Sequence, residues 1–176
     1  MNNFFKWKPT DNLLSLGAGA AWWEVKILFE NPAEKIYLID ENPEVLNEND
    51  VNEGINYFKK YYLNPFITQI HIIQEKVENF DDSILEDIDW ILCFNSWHEF
   101  KNPEIILKKL SNRIKLGTYF LLEENLSVEK REFHKECGFP LYFEDELFNQ
   151  FIKFGFELVE REQEKEAPYL LFRKNF

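Results

Sequence analysis

Four short stretches of the sequence carry side chains whose types and spacing could do chemistry. Leu16-Gly17-Ala18-Gly19 stands between an apolar run and a helical pattern, where glycines allow a tight turn and close approach of the backbone to a ligand. Asp40 follows 21 positions after Gly19, at the end of a second apolar run. A carboxylate there can accept both hydroxyls of a ribose, or it can simply sit before a helix whose dipole favours an acid. Gln74 to Val77 follows a third run, and Asn95 to Phe100 a fourth. Within the last, His98 has the ring whose ordinary proton affinity lies near neutrality, so it could serve as a base or be an ordinary loop histidine. Asn95 stands three positions before it. Trp22 falls where a pyrophosphate-binding GxGxxG would need its last glycine. That indole disfavours a dinucleotide and leaves room for a ligand with one ribose and no phosphate. Trp22 and Trp23 could also wall the pocket or pack in the core.

The elements that would position these residues can be read from periodicity. Apolar strand-like runs are expected at Asn12–Leu16, Lys35–Ile39, Phe66–Ile73, Asp89–Phe94 and Thr118–Leu122. Helical patterns are expected at Ala20–Glu30, after Asn42-Pro43, after Asn102-Pro103, and at Glu144–Phe154. The two Asn-Pro pairs are helix-start signatures. A short helical turn fits Asp81–Glu86, and Leu126–Phe143 reads as an irregular loop with one helical turn around Lys130–Lys135. Two closing strands, Phe156–Arg161 and Tyr169–Arg173, flank an acidic linker from Glu162 to Glu166. Such alternation of strands and helices implies βαβ crossovers and a parallel sheet covered on both faces. Ligands then bind beyond the carboxyl ends of the strands, which is where the four stretches above fall.

Composition bounds the answer. The 176 residues fit one domain, residues 1–176. Acids number 32 and bases 20, giving a formal net charge of −12, which opposes phosphate backbones and argues against a nucleic-acid partner. It does not oppose a small cationic ligand. No apolar run has the length of a membrane helix, and Met1–Pro9 lacks a signal-peptide core, so a cytoplasmic location is expected. Two cysteines are too few for a disulfide framework. His71, His98 and His134 are scattered along the chain, so no metal site is expected. The oligomeric state is not legible.

From about Asn12 to Lys174 the chain resembles the class I S-adenosylmethionine-dependent methyltransferases, especially small members acting on small molecules. Leu14-Ser15-Leu16-Gly17-Ala18-Gly19-Ala20-Ala21 is similar to the family's glycine-rich first motif. Ile36 to Pro43, with Asp40, resembles its second-strand acid. Ile72 to Glu78 resembles the adenine-contacting motif, and Asp89 to Phe100 the fourth-strand motif. The resemblance implies a Rossmann-like, doubly wound α/β fold of seven strands in the order 3-2-1-4-5-7-6, strand 7 antiparallel. It implies S-adenosyl-L-methionine as cofactor, held by Gly17, Ala18, Gly19, Asp40, Glu41, Lys76, Val77 and Asn95. His98 and Asn95 become the catalytic candidates, and the substrate a small molecule. Departures are Ser15 and Lys76, where the family usually has acids, and Ala21, where it has a third glycine. A protein that keeps the fold without turnover is the alternative. Asn95-Ser96-Trp97-His98 is not the Pro-Pro-aromatic motif of enzymes that methylate nucleic-acid bases, which agrees with the charge.

Overall fold

The computed structural model describes residues 4–162 and 167–176. Of the expected linker Glu162–Glu166, residues 163–166 lie outside them, as do the first three residues of the N-terminal stretch. β1 (Asn12–Leu16), β2 (Lys35–Ile39), β3 (Gln69–Ile73), β4 (Trp90–Phe94) and β5 (Tyr119–Glu123) form the parallel part of one sheet. β6 (Leu126–Ser127) and β7 (Tyr142–Phe143) pair separately as a small two-stranded sheet. β8 (Phe156–Arg161) and β9 (Tyr169–Lys174) complete the main sheet, whose order is β3-β2-β1-β4-β5-β9-β8. β9 runs antiparallel to both β5 and β8. Once the two short strands are set aside, this is the 3-2-1-4-5-7-6 order with an antiparallel seventh strand.

Alternation along each strand sorts side chains to two cores. Leu14 and Leu16 of β1 join Ile91, Phe120, Trp97 and Phe151 on one face. That face is covered by α3 (Pro103–Arg113), α4 (Glu144–Lys153) and a 3-10 turn at Asp82–Asp87. Leu13 joins Val25, Leu28, Ile36, Leu38 and Trp90 on the other, covered by α1 (Trp22–Glu30) and α2 (Glu48–Phe58). Phe4 and Trp7 pack into this second core, against Tyr169 and Trp90, with the Trp7 indole N–H donating to Asn31 O at 2.8 Å.

Two local expectations are corrected. Asn42-Pro43 opens only a turn, with Val45 and Leu46 amides donating to Asn42 O. Leu46 is buried there, and α2 starts later, where the Asn47 side chain accepts from the Asp50 amide. The stretch from 128 to 141 holds no helix; it is a hairpin with a bridge between Phe133 and Pro140. Its path is set by Ser127 Oγ and Arg131, which both donate to Leu141 O. Trp22 and Trp23, for which walling a pocket and packing in the core are both open in the sequence, stay partly exposed: the Trp22 ring packs on Tyr57 and Phe58 of α2, over Gly54. Among the described residues no helix is long and apolar enough to cross a membrane.

Candidate functional site

The strand ends converge on one open cleft of about 570 Å³, within the ~300–1,000 Å³ typical of small-molecule sites. Gly17, Ala18 and Gly19 after β1, Asp40 and Glu41 after β2, Lys76 and Val77 after β3, and Asn95 after β4 all line it. Eight of the nine residues singled out from the sequence are thus brought to one place. His98 is not among them.

The turn after β1 depends on its glycines in two different ways. Gly17 has φ +67°, and a Cβ on it would stand 2.6 Å from Ser96 Oγ and 2.7 Å from Ser96 Cβ. Ser96 is held against it by donating to Leu16 O at 3.0 Å. Gly19 has φ +51° and faces open space where a Cβ would point, leaving the backbone accessible to a ligand. Ala21, in place of a third glycine, still adopts the left-handed conformation at φ 56°. Asp40 braces the turn, accepting from the Gly19 amide at 2.9 Å through one oxygen and from the Asn42 amide at 2.9 Å through the other. Each carboxylate oxygen keeps a second lone pair with which to accept. Four acids (Asp40, Glu41, Glu78, Glu99) against two lysines (Lys76, Lys101) make the lining net negative, which suits a cationic ligand. Lys76 and Glu41 pair across the cleft mouth at 3.4 Å, both well exposed.

A buried acid stands beside Ser15. Ser15 donates to Glu24 of α1 at 2.6 Å, and both are buried beneath the glycine turn. Burial pushes the Glu24 carboxyl up to about 7, opposed by the Ser15 hydrogen bond and reinforced by the charge of Asp40. Sequence reading missed Glu24, because a lone acid in a helix carries no local sign that it points inward. The raised value has a consequence for stability. Glu24 binds its proton more tightly folded than unfolded, so its contribution is fully present below pH ~4.5 and is lost as pH rises through about 7. The loss is on the order of 3 kcal/mol. Urea unfolding of the parent and Glu24→Gln across pH 4.5–8 should therefore diverge, the parent losing stability relative to the variant as pH rises. Parallel profiles would remove this role.

His98 differs from an accessible base in the crevice. Its side chain is 0% exposed. Nδ1 lies 2.7 Å from Glu124 Oε1, and its own backbone amide donates to Glu124 Oε2 at 3.2 Å. Glu124 in turn is 0% exposed and also accepts from the Asn125 amide, although it stands directly after the end of β5. The cause lies in the 3-10 turn Trp97–Glu99, which sinks Trp97 into the core beside Phe120 and Phe151 and turns His98 toward the end of β5. The expectation that the histidines are scattered is corrected as well. His98 and His134 rings stand 4.6 Å apart, and Cys137 lies against both. His71 alone is remote, stacked on Tyr37. Asn95, at φ 50°, reaches His134 Nε2 through its amide nitrogen at 3.3 Å and so ties the hairpin to the cleft.

No family model matches the chain, and no curated protein matches it in sequence. Solved structures do match. A candidate methyltransferase from Bacillus halodurans superposes with a TM-score of 0.70 over 97% of this chain and 95% of its own, at 13% identity. A SAM-dependent methyltransferase from Aquifex aeolicus gives 0.66 over 96% and 84%, at 18% identity. The 4+2 cyclase SpnF gives 0.65 over 96% and 76%, at 13% identity. At these identities the likeness concerns the backbone, and it extends over nearly the whole chain. Together with the sheet order and the glycine turn facing a strand-end carboxylate, it shows that this chain has the fold of the class I S-adenosylmethionine-dependent methyltransferases.

Proposed function

We propose that this protein is a methyltransferase that uses S-adenosyl-L-methionine and acts on a small-molecule acceptor. The observation that carries the reading is the convergence of the Gly17–Gly19 turn, Asp40 and Asn95 on one net-negative cleft at the ends of β1, β2 and β4. These residues fit the cofactor: Asp40 has acceptor capacity for two ribose hydroxyls, and the open face of Gly19 admits close approach. Bound there, the cofactor supplies a methyl group on a sulfonium, open to in-line displacement. The chain's own part is to orient the acceptor and exclude water. Asn95 stands at the end of β4 to position the methionine portion or the acceptor, while Phe94, Phe100 and Phe139 give the cleft apolar walls. The net charge of −12 favours an acceptor that is not a nucleic acid.

Asp40→Ala tests the assignment. Losing a charge-assisted hydrogen bond to the ribose should cost about 1.5–3 kcal/mol, roughly tenfold or more in affinity for S-adenosylhomocysteine. Calorimetric titration would read it, and unchanged binding would exclude Asp40 from the site. A second reading, a fold member without methyl transfer, draws on Lys76, which puts a cation beside the expected adenine end. The cyclase among the structural neighbours shows that the fold hosts other reactions. If the parent binds neither S-adenosylmethionine nor S-adenosylhomocysteine, this second reading stands and the first falls.

A further inference from the structure

His98, His134 and Cys137 offer ligating atoms that all lie within 4.8 Å of one another. Cys137 Sγ is 3.3 Å from His98 Nε2 and 3.2 Å from His134 Nδ1. In a tetrahedral centre with Zn–S about 2.3 Å and Zn–N about 2.0–2.1 Å, neighbouring N and S donors stand about 3.5 Å apart. These two pairs need to spread by only a few tenths of an ångström, while the two histidine nitrogens, up to 4.8 Å apart, would have to draw in to about 3.3 Å.

Each donor is prepared by its surroundings. Glu124 must accept from two backbone amides, of His98 and Asn125, so its oxygens act as acceptors and Nδ1 of His98 carries the proton toward them. Nε2 is left with its lone pair facing Cys137. A buried carboxylate holding the far nitrogen of a histidine is the support that metal-bound imidazoles commonly have. His134 and Cys137 stand at i and i+3 on a tight turn, closed by the Gly138 amide donating to His134 O at 2.9 Å, with Gly138 at φ +74°. Two intervening residues is the usual spacing for paired ligands on one turn. If His134 binds through Nδ1, its Nε2 must carry a proton; Asn95 can receive it by turning its amide to present the oxygen, provided that Asn125, whose Nδ2 donates to Asn95 Oδ1, turns its own amide with it, since the two ends of an amide occupy the same shape. Glu99 Oε1 lies 3.7 Å from His98 Nε2 and is half exposed, within reach as a fourth donor.

We propose that His98 Nε2, His134 Nδ1, Cys137 Sγ and Glu99 form a binding site for a zinc-class divalent cation. One thiolate and two imidazoles select Zn²⁺ or Co²⁺ over Mg²⁺ and Ca²⁺, which prefer all-oxygen sets. Bound there, the ion would tie the hairpin carrying His134 and Cys137 to the turn after β4, at the edge of the cleft that Asn95 and Glu99 also line. The site does not depend on methyl transfer.

The test is titration of the chelator-stripped protein with Co²⁺ alone. One equivalent should give a thiolate-to-cobalt charge-transfer band and the strong visible bands of tetrahedral cobalt, both abolished by one equivalent of Zn²⁺. Zn²⁺ should also raise the melting temperature. Cys137→Ser should remove the charge-transfer band, and His134→Gln should weaken Co²⁺ binding by tenfold or more; both lie on the hairpin, away from the two cores. Glu124→Gln should weaken binding about 10–100-fold while leaving the charge-transfer band at saturation. Absence of saturable Co²⁺ binding by the folded parent, or a spectrum unchanged in Cys137→Ser, overturns the proposal and leaves a hydrogen-bonded cluster in its place.

Discussion

Glu124→Ala should be among the most damaging single substitutions in this protein. The carboxylate is fully buried and satisfies three donors: the His98 ring, the His98 amide and the Asn125 amide. Truncation leaves all three facing a void, and breaking a buried ionic or charge-assisted pair from one side typically costs about 3–5 kcal/mol. Chemical denaturation at pH 7 should show a loss of that size. Glu124→Gln keeps an acceptor oxygen and should lose less. A drop below about 1 kcal/mol for Glu124→Ala would mean that water reaches the pocket and that the pair is not sealed as described.

Gly17→Ala is the second large effect. The left-handed backbone at φ +67° costs a non-glycine residue about 1–2 kcal/mol. The added methyl would also lie 2.6 Å from Ser96 Oγ, closer than any normal contact, and overpacking of a rigid site adds about 1–3 kcal/mol. Ser96 cannot simply rotate away without giving up its bond to Leu16 O. The expected outcome is destabilisation of about 2–5 kcal/mol and loss of S-adenosylhomocysteine binding in whatever fraction stays folded. Gly19→Ala is the informative comparison, because its Cβ meets nothing within 4 Å. It should cost only the backbone term yet still impair binding, since the methyl projects into the cleft. Equal stability losses in the two variants would show that Ser96 yields.

Most of the architecture was written locally in the chain. Lys35–Ile39 and Phe156–Arg161 form strands over the very residues their apolar patterns mark. Alternation of strands with helices restricts the sheet to few topologies, and in such a sheet the strand ends converge. Asp40 and Asn95 could therefore be assigned to one cleft from their positions at the ends of β2 and β4, with no knowledge of contacts. The start of α2 was missed because two Asn-led signals compete within a few residues, and burial of Leu46 decides for the later one.

The groups behind and beside the cleft were decided by tertiary structure. Glu24 carries no sign in the sequence that it faces Ser15 across the α1–β1 interface. Glu124 carries no sign of burial in the sequence, because nothing next to it covers it; its partner His98 lies 26 positions away. His98 and Cys137 are separated by 39 positions and meet only because the hairpin folds back over the turn after β4. Periodicity reports which face of an element is apolar, and so fixes elements and their layers. Pairing between polar side chains on separate loops depends on loop paths set by hydrogen bonds such as those from Ser127 and Arg131 to Leu141 O, and leaves no periodic trace in the sequence.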